Sequence, residues 1–109
     1  HAHCLRGGKN MFRHVSVFTL ENKEELDHFV SMLKAVGREC PIICHSEVGV
    51  NFGVGPKEGP GPEFGDVIQI IDFNTKEELE RYPSTLQHRH LVEAGPKLVK
   101  VSAIDYEIR

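Results

Sequence analysis

The chain has 109 residues, 39% hydrophobic and 27% charged, with 13 Lys and Arg against 16 Asp and Glu for a net charge of −3. That length and balance predict one globular domain with a modest core and exclude a disordered chain. No basic cluster or aromatic platform is present, which argues against nucleic-acid binding, and no apolar run is long enough to cross a bilayer.

Three cysteines, Cys4, Cys40 and Cys44, make an odd count without a disulfide framework. They point to a reducing compartment, and so to a cytoplasmic location. Seven His make the charge sensitive to pH between about 5 and 8.

Residues 1–10 (HAHCLRGGKN) have no periodicity. They read as a disordered tail or leftover tag, with Met11 the expected natural start and one domain over residues 11–109. From Met11 to Leu20, Phe12, His14, Ser16, Phe18 and Leu20 alternate with Arg13, Val15, Val17 and Thr19, a strand covered on both faces. A first helix follows, with Asn22 as cap and Glu25 reaching back to it. Leu26, Phe29, Val30, Leu33 and Val36 form its apolar stripe, and Gly37 is its expected stop. His28 lies off that stripe and is expected in solvent.

Ile42 to Phe52 and Phe64 to Phe73 read as strands joined by a hairpin loop, since residues 53–65 hold five Gly and three Pro. The phosphate-loop pattern GxxxxGK[ST] is absent from that stretch. Thr75, with Glu78 as reciprocal partner, starts a second helix that carries Leu79 and Tyr82 inward and ends before Pro83. Ser84, with Gln87, is the expected cap of a third helix whose Leu86, Leu91 and Val92 pack inward, with His90 in solvent and Gly95-Pro96 as the stop. Leu98 to Ile108 is the last strand. The order strand, helix, strand, strand, two short helices, strand is the split β-α-β repeat of an α+β, ferredoxin-like fold: a four-stranded antiparallel sheet with helices on one face. The other face would carry Val15 and Val17, too apolar for water, so a homodimer closing into an α/β barrel is expected.

Tyr82 and His88 flank the Pro83 break, six residues apart. On a continuous helix they would point to opposite sides, and the break lets both face one space. Imidazole exchanges protons near neutral pH, so a half-buried His beside a phenol suits acid–base work, although a lone His is more often a hydrogen-bonded core residue. His14 falls on the helix-covered face of strand one, beneath helix three. Two His and a Tyr meeting in one cavity are hard to explain as packing. Cys40, Cys44 and His45 superficially suggest a metal, but no second cluster completes four ligands. They read as half-buried strand-edge thiols, and no metal is expected.

The segments MFRHVSVFTL, EVGVNF, DVIQIIDFNTKEELERY, the His88 helix and the closing IDYEIR resemble the stress-responsive dimeric α/β-barrel (Dabb) family, and within it olivetolic acid cyclase-like proteins. The resemblance spans residues 11–108. It implies a dimer whose catalytic His, assisting Tyr and strand-one His correspond to His88, Tyr82 and His14, with Asp105 matching a further acidic residue. It also implies a cofactor-free cyclase- or lyase-type reaction on a small carbonyl or polyketide-like compound, with Phe18, Phe29, Gln69 and Ile71 contacting it. This chain departs from the family where many members read His-Pro-x-His, since it carries Thr85-Leu86-Gln87-His88. Gln69 replaces an apolar pocket residue of the cyclase, which suits a smaller or more polar substrate. Two other functions fit the same residues: a non-catalytic stress-response protein binding a small apolar ligand, and a monooxygenase-like or haem-binding barrel with His88 on iron.

Overall fold

A computed structural model describes residue 4 and residues 10–53 and 61–109. The centre of the expected loop and most of the expected tail lie outside the described residues. The elements run β1 (Phe12–Leu20), a 3-10 turn (Lys23–Glu25), α1 (Leu26–Glu39), β2 (His45–Val50), β3 (Val67–Phe73), α2 (Lys76–Arg81), a second 3-10 turn (Tyr82–Ser84), α3 (Leu86–Ala94) and β4 (Leu98–Glu107). The four strands form one antiparallel sheet in the order β2-β3-β1-β4, the ferredoxin-like arrangement. Among the described residues, no helix is long and apolar enough to cross a membrane.

Alternation along β1 decides the layers. Ser16, Phe18 and Leu20 are buried under the helices. Across the ladder they stand beside β3 residues that share their face, Ser16 opposite Gln69 and Phe18 opposite Val67. α1 contributes Phe29, Leu33 and Val36 to the same core, the inward half of its apolar stripe. The opposite sheet face carries Val15, Val17, Ile68, Ile70 and Ile104 in facing positions, with no helix upon it. Arg13 and Asp72, also on that face, form a two-pronged ion pair at 2.7 and 2.9 Å.

Four local expectations need correction. α1 runs through Gly37 to Glu39. A Cβ on Gly37 would lie 2.1 Å from Ser46 Oγ, so this glycine permits close approach of α1 to β2 and does not stop the helix. Asn22 caps the 3-10 turn through the Glu24 N–H, and Glu25 makes no capping box. Thr85, not Ser84, caps α3: the turn containing Pro83 absorbs Ser84, and Thr85 Oγ accepts from the His88 N–H at 3.3 Å. Leu86 and Val92 are largely exposed, leaving Leu91 as the buried residue of α3.

The cysteine expectation also changes. Cys4 and Cys44 are joined in a disulfide with Cα atoms 5.5 Å apart, and only Cys40 is a free, buried thiol. The reading of Cys44 as a free thiol is overturned, and with it the argument from cysteine usage for a reducing compartment. Among the described residues no three His, Cys, Asp or Glu side chains gather as metal ligands.

Candidate active site

Register builds the floor of the site. His14 on β1 lies between Ile71 on β3 and Asp105 on β4, and the next inward position, Ser16, lies between Gln69 and Ala103. The helices supply the roof: Phe29 from α1, Tyr82 from the 3-10 turn, and His88, Leu91 and Val92 from α3. Between them is a cavity of about 410 Å³, lined further by Pro96, Leu98 and Val101. That volume falls within the usual range for small-molecule sites, roughly 300–1,000 Å³. A larger groove between α1 and α3, about 560 Å³, holds none of His14, Tyr82 and His88.

His14 is held by both ring nitrogens. Nδ1 lies 2.5 Å from Asp105 Oδ1, and Nε2 lies 2.8 Å from Ser16 Oγ. A carboxylate only accepts hydrogen bonds, so in the neutral ring the proton sits on Nδ1. Nε2 then accepts from the Ser16 hydroxyl.

Tyr82 and His88 are held differently. Tyr82 is 3% exposed, with its ring 5.8 Å from His14, 5.7 Å from Phe73 and 4.8 Å from His88, the last edge to face. Its Oη has no hydrogen-bond partner among the described residues. Burial pushes the phenol up to about 12, opposed by the Gln69 amide beside it, so it remains a donor at neutral pH. Burial pulls His88 below the ordinary histidine value, against a pull upward from the Pro83 carbonyl, and His14 adds to the lowering. His88 is therefore a neutral base next to a phenolic donor.

Gln69 adds a second donor. It is 1% exposed, and its Nε2 has no partner among the described residues. Gln69 Nε2 and Tyr82 Oη are neighbours without a formed hydrogen bond, and buried polar atoms left so cost about 1–3 kcal/mol each unless a small shift, a ligand or solvent satisfies them. Among the described residues no Lys or Arg lines the cavity.

The structure thus brings His14, Tyr82 and His88 together, and Phe18, Phe29 and Gln69 line the same cavity. Ile71 does not; it is fully buried in the core beneath the helices. Ser16 was visible in the sequence as a neighbour of His14 on one face, but its bond to His14 was not anticipated. The link from His14 to Asp105 needs β4 to be the neighbour of β1, which strand patterning alone does not supply.

The model of the stress responsive A/B barrel domain family matches residues 12–108. Among solved structures, a dimeric ferredoxin-like protein of unknown function from Thermobifida fusca superposes with a TM-score of 0.73 at 16% identity, covering 99% of this chain and 100% of that one. A Dabb family protein with a ferredoxin-like fold from Mesorhizobium loti gives 0.70 at 23%, covering 90% and 96%. The hydroxynitrile lyase of Passiflora edulis gives 0.73 at 12%, covering 91% and 94%. At these identities the likeness is one of fold. No curated protein matches the chain.

Proposed function

The chain belongs to the stress-responsive A/B barrel domain family, and from that premise we propose that it is a homodimeric, cofactor-free acid–base enzyme acting on a small, uncharged carbonyl compound. The observation that carries the proposal is the Tyr82–His88 pair: a base kept neutral by burial, packed 4.8 Å from a phenol kept protonated by burial, on the wall of a ligand-sized cavity. In the reaction, a His88 ring nitrogen removes the proton from the carbon next to the carbonyl. Tyr82 Oη, unpaired in the free protein, donates to the oxygen as negative charge develops there. Gln69 Nε2 can donate to the same oxygen or to a neighbouring one. General-base and oxyanion contributions of this kind are each worth about 10²–10⁴-fold in rate. The enolate formed in this way attacks a second carbonyl carbon and the resulting alkoxide takes the proton back from the His88 imidazolium, the cyclase-type outcome. In the reverse, lyase-type direction His88 removes the hydroxyl proton of a β-hydroxy carbonyl compound or a cyanohydrin, the C–C bond breaks, and the imidazolium protonates the released carbanion.

The cavity wall, uncharged by Lys or Arg among the described residues, favours an uncharged substrate over a carboxylate. Dimerisation is supported by the dimeric neighbour of the same fold and by the apolar face of Val15, Val17, Ile68, Ile70 and Ile104. A protein serving only as a filled scaffold would have no need of a 410 Å³ cavity.

The test is a screen of small ketones, aldehydes, 1,3-dicarbonyl compounds and cyanohydrins, the last included because a hydroxynitrile lyase shares the fold. Conversion by the unmodified dimer, lost in both His88→Ala and Tyr82→Phe, is the expected result. Full turnover in His88→Ala on a substrate so identified would overturn the assignment.

A further inference from the structure

Ser16, His14 and Asp105 form one hydrogen-bonded row across β1 and β4, with links of 2.8 and 2.5 Å. The carbon-acid reaction assigned to His88 and Tyr82 makes no use of the Ser16 hydroxyl. Yet Ser16 is 4% exposed and lines the cavity. We propose that Ser16 is a nucleophile and that the cavity has a second, acyl-transfer activity: hydrolysis of small uncharged esters or thioesters through an acyl-Ser16 intermediate.

The argument rests on three features of the floor. The tautomer forced on His14 by the Asp105 carboxylate leaves Nε2 as acceptor, so the Ser16 O–H points at a base, and Ser16 itself lines the cavity. Asp105 holds the ring in that orientation and would stabilise the imidazolium formed when Ser16 gives up its proton. Ser16 also stands directly opposite Gln69 in the β1–β3 ladder, which puts their Cβ atoms about 4.5–5.5 Å apart. Gln69 is thus beside the residue that would attack, and Tyr82 lines the same cavity, so both can offer a donor to a tetrahedral oxyanion.

The steps balance without a further reactant beyond water. Ser16 Oγ bonds to the acyl carbon while its proton passes to His14 Nε2, and the carbonyl oxygen becomes an oxyanion held by Gln69 and Tyr82. The oxyanion collapses, the C–O or C–S bond to the leaving group breaks, and His14 returns the proton to the departing alcohol or thiol. Water then attacks the acyl-serine, giving its proton to His14. Ser16 Oγ leaves and takes that proton back, releasing the carboxylic acid. The cavity is lined by Phe18, Phe29, Leu91, Leu98 and Val101 and, among the described residues, by no Lys or Arg, so short apolar acyl groups fit it best.

The experiment treats the unmodified protein with 4-nitrophenyl acetate and, separately, with an alkyl fluorophosphonate, and maps the adducts by peptide mass spectrometry. The expected results are a burst of nitrophenolate, an acetyl or phosphonyl group on Ser16, and at least about a hundredfold loss of burst rate in Ser16→Ala and His14→Gln. The adduct is read on the unmodified protein, so the outcome does not depend on how a variant folds. No adduct, or adducts only at other residues, would show that Ser16 serves only as a hydrogen-bond partner of His14. This result is independent of the screen for carbon-acid chemistry, which reads His88 and a different bond, so either proposal can fail while the other stands.

Discussion

The two walls of the cavity hold the same residue type in opposite ways. On the sheet wall, both His14 nitrogens are engaged, one by Asp105 and one by Ser16, and backbone register fixes the partners. On the helix wall, His88 is positioned by the Thr85 cap, by edge-to-face packing on Tyr82 and by the Pro83 carbonyl on one side of its ring, and burial is the largest influence on its proton affinity. The difference teaches that a histidine can be prepared for chemistry by its partners or by its surroundings. The first route fixes a tautomer and aims one nitrogen. The second keeps a ring neutral and available to whatever enters the cavity.

The change expected to break this comparison most severely is Asp105→Asn. An amide can donate to Nδ1, which would place the ring proton on Nε2 and remove the acceptor for the Ser16 hydroxyl. Acylation of Ser16 should fall by about 10³–10⁴-fold, read as the nitrophenolate burst, while the carbon-acid reaction of His88 changes far less. Equal losses of both activities would mean that the walls act as one unit.

Tyr82→Phe sharpens the helix side. Turnover of a carbonyl substrate should drop by about 10²–10³-fold, the cost of one oxyanion donor. Thermal stability should stay within about 1 kcal/mol of the parent and move upward if at all, because the deleted hydroxyl is buried without a partner. A large destabilisation would reveal a structural bond to Tyr82 Oη.

These two substitutions also mark where the amino-acid sequence stopped being informative. Element order, the helix-covered face of β1, and the meeting of Tyr82 with His88 across Pro83 all follow from period and breakers, which are local. Asp105 differs because its role depends on β4 lying beside β1, a matter of strand order that alternation does not encode. Ile71 shares the face of Gln69, yet alternation tells only the face and not whether open space lies above it; here the core fills that space. Gly37 resembles a helix stop in the sequence because a glycine that ends a helix and one that lets a strand approach look alike in one dimension. The Cys4–Cys44 disulfide joins residues 40 apart in sequence, beyond the reach of any spacing rule applied to three cysteines.

A smaller effect concerns pH. The folded protein holds His88 below the ordinary value of 6.5, so the unfolded chain takes up its proton first as pH falls. Stability should therefore be full above pH 6.5 and decline as pH drops through 6.5 toward the folded value. Thermal melts between pH 8 and 5 should show this slope, and His88→Asn should flatten it. A slope unchanged in that variant would assign the dependence to another group.

The most direct test of the account is proton exchange itself. The unmodified protein and the His88→Ala variant are incubated in deuterated buffer with the carbonyl compounds that bind the cavity, and loss of the hydrogen next to the carbonyl is followed by NMR. Exchange should be catalysed by the unmodified protein and be slower by about 10²–10⁴-fold in His88→Ala. Equal exchange rates in the two proteins, with the compound bound in the cavity, would contradict it.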